Sequence, residues 1–198
     1  MSEPIPPPDE RSWKRLLEIA DSDDTERLAE HIASLSEQDR IHDFGRLKPE
    51  QRSRVLRRLS PELAANPLEL VPETHAIEAL EELSPNAAAG ILEELASDDQ
   101  ADLVAQLAPR RAAAILAEST PATVDSLRTL LQYQPNTAGG RMVTEFVAVP
   151  EEARAQDVVA QMRANVERYA DYVVQYVYVV GANGELHGVL PLRDLLLA

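Results

Sequence analysis

The chain has 198 residues, with 34 Asp and Glu against 19 Lys and Arg, for a formal charge of −15. So acidic a balance excludes a general nucleic-acid binder, which needs cations to displace phosphate counterions, and disfavours adsorption to an anionic membrane. The absence of cysteine excludes disulfides, zinc ribbons and thiol nucleophiles and fits a reducing, cytoplasmic setting.

In chain order, residues 1–11 read as a disordered Pro-rich tail without the apolar core of a secretory signal. An internal repeat follows. Leucine recurs every twelve residues at Leu35, Leu47, Leu59, Leu83, Leu95, Leu107 and Leu131, with Val71 filling one gap and Ser119 breaking the series. Two positions after these come Pro49, Pro61, Pro85, Pro109 and Pro121, with Glu37, Glu73, Ser97 and Tyr133 at the other matching places. A second apolar register runs Ile32, Phe44, Leu56, Leu68, Leu80, Leu92, Val104, Leu116. Proline suits the first turn of a helix, where its missing N–H costs nothing, and Ser60 and Ser84 stand before their prolines as N-caps. Twelve residues thus make one short helix and a tight turn, too short to be stable alone. Such helices must stack around a leucine seam. Residues 12–134 are expected to form a right-handed, armadillo-like superhelical stack of short helices.

At Pro135 the composition changes: five of seven glycines lie from Gly139 onward and 12 of 16 valines from Val143 onward. Residues 146–149 read as a strand, 155–168 as an amphipathic helix and 173–180 as a strand rich in β-branched and aromatic residues. Asn183-Gly184 supplies a turn, 186–190 is the next strand, and 192–198 starts a helix. The order β-α-β-β-α makes residues 135–198 a small α+β module. Its apolar end, Leu195-Leu196-Leu197-Ala198, reads as a fragment boundary or an end buried against a partner. No apolar run approaches the ~18 residues of a membrane-spanning helix, so no membrane insertion by this chain is expected.

The acidity is concentrated. From Pro61 to Pro109 there are 11 acidic residues and no Lys or Arg, whereas Arg40 to Arg58 holds seven basic residues against Asp43 and Glu50. Carboxylates without local cations repel one another unless solvent, a metal or another domain neutralises them.

His187-Gly188-Val189-Leu190-Pro191-Leu192-Arg193-Asp194-Leu195, following Gly184, resembles a CBS domain. The stretch Asn136-Thr137-Ala138-Gly139-Gly140-Arg141-Met142-Val143-Thr144-Glu145-Phe146-Val147-Ala148-Val149, with Tyr176-Val177-Tyr178-Val179-Val180, resembles the cytosolic part of MgtE-type magnesium channels. That resemblance covers roughly residues 25–198. It implies an N domain followed by the first CBS domain of a pair, lying on the cytosolic face of the inner membrane. A second CBS domain and a transmembrane pore would be partners, with homodimerisation through the CBS region.

The resemblance further implies Mg²⁺ sensing at acidic interfaces, with Glu78, Asp98, Asp102 and the carbonyl of Gly140 at the matching ligand positions. Asp98 and Asp102 are i,i+4 and share a helical face, and Mg²⁺ needs only one or two carboxylates among its waters. Ser97-Asp98-Asp99-Gln100 also reads as a capping box with Ser97 as N-cap, so Asp98 serves either the helix end or an ion. CBS domains often bind ATP or another adenine nucleotide, and the matching positions are Tyr176, Arg193 and Asp194. Pro191 stands where a hydroxyl often meets phosphate, and offers neither O–H nor N–H. His31, His42, His75 and His187 form no metal-ligand spacing, and no nucleophile motif is present, so the chain is not expected to be an enzyme. Two other functions fit the residues: a helical-repeat interaction scaffold, docking partners through its basic and acidic segments, and a CBS nucleotide sensor.

Overall fold

The computed structural model describes residues 12–22, 24–166, 169 and 174–197. The expected N-terminal tail and the ends of three expected elements, at residues 168, 173 and 198, lie outside them. By internal contacts the chain divides into two compact units, one through Met142 and the other from Val143 onward.

The first unit is helical: α1 (Ser12–Asp21), α2 (Thr25–Ser34), α3 (Glu37–Arg46), α4 (Pro49–Leu56), α5 (Pro61–Leu70), α6 (Glu73–Glu82), α7 (Pro85–Glu93), α8 (Ser97–Gln106), α9 (Pro109–Leu116) and α10 (Pro121–Leu130). From Thr25 to Pro121 every helix begins twelve residues after the last, so the repeat and the helix phase coincide. All five predicted prolines open their helices. The hydroxyls of Ser60 and Ser84 accept from the N–H groups of Leu63 and Ala87. Ile32, Phe44, Leu56, Leu68, Leu80, Leu92 and Val104 are buried in one continuous core. Alternate helices stack on each other: α3 on α5, α5 on α7 and α7 on α9, while α4 packs on α6, α6 on α8 and α8 on α10. A 24-residue helix pair is thus the structural unit, and the two rows share the leucine seam.

Two arginines close helix ends within this stack. Arg52 of α4 is 1% exposed and donates to the carbonyls of Phe44 and Leu47 at the end of α3, at 3.3 and 3.0 Å. Arg111 of α9 donates to the carbonyls of Leu80 and Leu83 at the end of α6. Each acceptor of the second pair lies three repeats beyond its counterpart in the first. A guanidinium here satisfies the last carbonyls of a helix and sits favourably at the negative end of its dipole.

The second unit is a three-stranded sheet in the order β1 (Val147–Pro150), β2 (Tyr176–Val180), β3 (Leu186–Pro191). Strand β1 runs parallel to β2, joined through α11 (Ala155–Ala164), and β3 returns antiparallel before α12 (Leu192–Leu197). This is the β-α-β-β-α order read from the sequence. Val147, Val149, Val158, Val177 and Leu195 form its core. Gly184 takes φ of 83° in the β2–β3 turn, a conformation glycine adopts without steric cost. Among the described residues no helix is long and apolar enough to cross a membrane.

Candidate metal centre

The row α4, α6, α8 carries the carboxylates singled out in the sequence: Glu78 lies on α6, and Asp98 and Asp102 on α8. Asp102 lines a small pocket of about 50 Å³ with Glu69, Glu73 and Asp99, floored by Leu68, Leu95 and Leu103. Sequence reading placed Glu69, Glu73 and Asp99 in the acidic block without selecting them, because only the packing of α6 on both α5 and α8 converges them.

Their charges are felt. Burial raises the Asp99 carboxyl above its ordinary range, and Asp98, Asp102 and Glu73 raise it further. Glu69 is raised by burial and then by Asp99. Both shifts mean that ionisation meets desolvation and like charge with too little compensation. One neutral partner is present: Gln106 Nε2 donates to Glu73 Oε2 at 2.8 Å.

The capping role expected of Ser97 is corrected. Ser97 is the first residue of α8, Ala96 is the cap, and the Gln100 amide donates to the Leu95 carbonyl at 2.8 Å. The repeat phase is the reason: Ser97 occupies the place of Pro49, Pro61 and Pro85. Asp98 and Asp99 therefore sit within the first turn, where the helix dipole favours negative charge.

Glu78 has a different setting. Its Oε2 lies 3.4 Å from Nη1 of Arg52, which also donates to the His75 carbonyl at 2.9 Å. Sequence reading missed Arg52, which it counted in a basic docking strip. The strip is partly internal: Arg52 is buried, and Arg54 pairs with Asp21 at 2.9 Å.

Gly140 lies in a 3₁₀ turn, Gly139–Arg141, and its N–H donates to Thr137 Oγ1 at 3.2 Å. A Cβ there would collide with the Gln134 carbonyl oxygen and lie 2.8 Å from Pro135 Cα. Close backbone approach, not an unusual φ, requires glycine at this position.

The clustered carboxylates of the pocket are oxygen donors of the kind a hard divalent cation prefers. Among the described residues no group of three or more His, Asp or Glu is arranged to hold a metal ion. An ion here would keep much of its water, as Mg²⁺ prefers.

In the second unit, Tyr176 pairs with Pro191 across β2 and β3, and the Leu192 N–H donates to the Gln175 carbonyl at 2.9 Å. These contacts bring Tyr176, 45% exposed, to the same end of the sheet as exposed Arg193 and Asp194.

The family model described as the MgtE intracellular N domain matches residues 35–136, and the CBS domain model matches residues 139–198. The chain belongs to the MgtE N domain family. The magnesium transporter MgtE of Thermus thermophilus is 37% identical over 78 residues, 39% of this chain and 17% of that protein. The match thus spans less than a fifth of that relative's length. The soluble part of a magnesium transporter superposes with a TM-score of 0.78 at 25% identity, covering 96% of this chain and 74% of that one. The cytosolic domain of the Mg²⁺ channel MgtE, solved in complex with ATP, gives 0.81 at 32% identity, covering 94% and 75%. This MgtE N domain, with its CBS module, therefore has the fold of MgtE cytosolic regions.

Proposed function

We propose that this chain is the cytosolic Mg²⁺-sensing part of an MgtE-type magnesium channel, regulatory rather than enzymatic. Its partners are a second CBS domain, the transmembrane pore and a second copy through the CBS region. The carrying observation is the crowding of Glu69, Glu73, Asp99 and Asp102 in one pocket, with Asp99 and Glu69 held against ionisation. At high Mg²⁺, ions at Asp98, Asp102, Glu78 and the Gly140 carbonyl bridge the acidic helices to the CBS region and favour the closed channel. When Mg²⁺ falls, carboxylate repulsion favours the released form. The ion shifts this equilibrium only by its preference for the closed form.

X-ray scattering and limited proteolysis in EDTA and in millimolar MgCl₂ test this reading. A smaller radius of gyration and slower cleavage in Mg²⁺ are expected, with K⁺ at equal ionic strength as the control for screening. Identical profiles in EDTA and Mg²⁺ would overturn it.

The second ligand proposed is an adenine nucleotide at Tyr176, Arg193 and Asp194. It is favoured by their convergence at one end of the sheet and by the ATP held by the MgtE relative. Calorimetry with ATP tests it, and absence of heat over a range of temperatures would dispose of it.

A further inference from the structure

Arg52 makes four contacts of unequal kind. Three are backbone carbonyls, Phe44 at 3.3 Å, Leu47 at 3.0 Å and His75 at 2.9 Å; the fourth is the Glu78 carboxylate at 3.4 Å. The carbonyls belong to helices of the stack and stay where the fold puts them. Glu78 is the longest contact and the solvent-facing partner, with 47% of its side chain exposed against 1% for Arg52.

We propose that Arg52 is a built-in counter-cation with which a divalent ion competes for Glu78. The proposal rests on Glu78 being an ion ligand, as in the preceding section. In the ion-free chain the Glu78 carboxylate leans on the guanidinium. A bound cation draws it outward, exchanging one positive partner for another. The exchange releases one N–H of Nη1 but leaves every guanidinium nitrogen a carbonyl, because Nη1 keeps His75 while Nε and Nη2 keep Phe44 and Leu47. Arginine suits this role because it stays charged when buried.

The arrangement sets a threshold. A cation approaching Glu78 must overcome both the existing ion pair and repulsion from the guanidinium. It does so with two charges better than with one. Glu78 is thus a weaker contributor than Asp102, whose neighbours in the pocket are acidic.

The test is a Mg²⁺ titration of the ¹⁵N-labelled chain followed by NMR, reading the Arg52 side-chain N–H signals beside the Asp98 and Asp102 amides. The Arg52 signals are expected to move with a saturable isotherm, and Glu78→Gln is expected to abolish that movement while the Asp98 and Asp102 amides still respond. By calorimetry, Glu78→Gln should weaken Mg²⁺ binding about threefold and Asp102→Asn about tenfold. Arg52 signals that stay fixed while the α8 amides titrate would overturn the inference and leave the sensor reading standing. So would an Arg52 response unchanged in Glu78→Gln. If no signal titrates at all, the sensor reading itself fails, and the inference with it.

Discussion

Glu69 on α5 and Asp99 on α8 face the same small pocket, and the charge of Asp99 raises the Glu69 carboxyl above its ordinary value. Both groups therefore hold protons more tightly in the folded chain than in the unfolded one. Folded protein then carries the extra proton, so this pair's contribution to stability is present at acid pH and is lost as pH rises through the raised values. The window opens near the ordinary carboxylate range, about pH 4, and extends upward from there. Asp99→Asn removes the repulsion at its centre. Its melting temperature relative to the unsubstituted chain is expected to climb between pH 4 and pH 7 in EDTA. Millimolar Mg²⁺ should shrink the gap by neutralising the same charge. A pH-independent difference would show that the pocket carboxylates do not interact as described.

Asp102 separates the ion reading from simple helix chemistry. It is beyond the first turn of α8, so it contributes little to the dipole there. Asp102→Asn should leave urea stability equal or slightly higher while weakening Mg²⁺ binding about tenfold, roughly 1.4 kcal/mol. Asp98→Asn should lower both, because Asp98 lies in the first turn. Calorimetry and urea unfolding on the two variants give the comparison, and equal effects would remove Asp102 from the ligand set.

The helical frame was legible because each repeat carries redundant marks. Leucine at the end of one helix, proline at the start of the next and a buried residue three positions before that leucine share a twelve-residue phase. The same phase corrects Ser97, whose capping-box neighbours suggested a helix start one residue later. What the phase does not reveal is side-chain convergence between repeats. Glu69 and Asp99 are 30 residues apart and meet only because α5, α6 and α8 pack together. Arg52 reads in the sequence as one charge of a basic segment and Arg111 is not singled out at all, since arginine carries no mark of burial. Their shared signal is position: each falls in the first turn of a helix opened by Pro49 or Pro109, beside the end of an earlier helix.

Arg111 makes that point measurable. Its guanidinium satisfies the Leu80 and Leu83 carbonyls at the end of α6. Arg111→Met keeps the aliphatic stem but strands both acceptors, at a cost of about 3 kcal/mol. Arg128→Met is the control, because its pair with Asp125 is exposed on both sides and should change stability by less than about 0.5 kcal/mol. Urea denaturation of both variants decides it. Comparable losses would mean that the Arg111 contacts contribute no more than a surface ion pair.

Gly140→Ala tests the turn without touching any carboxylate. The added Cβ meets the Gln134 carbonyl and Pro135, so Gly139–Arg141 must move. The helical core lies elsewhere, and its melting transition should be nearly unchanged. If the Gly140 carbonyl is an ion ligand, Mg²⁺ affinity should fall about tenfold with Asp98 and Asp102 intact. Unchanged calorimetric affinity would assign Gly140 to backbone packing alone.

At the nucleotide end of the sheet, Pro191 is paired with Tyr176 inside β3 and supplies no donor to a phosphate. Arg193 and Asp194 are exposed beside it. Recognition would then divide between Asp194 accepting from ribose hydroxyls and Arg193 attracting phosphate. Asp194→Ala should weaken ATP about tenfold and weaken adenosine equally, since both carry the ribose. Arg193→Met should weaken ATP while leaving adenosine unchanged. Pro191→Thr adds a hydroxyl at the edge of the site and should strengthen ATP by several-fold, roughly 1 kcal/mol for one new hydrogen bond. Calorimetry on the three variants distinguishes these contributions. If Pro191→Thr strengthens adenosine as much as ATP, the phosphate does not lie beside residue 191, and the site is oriented differently on the sheet.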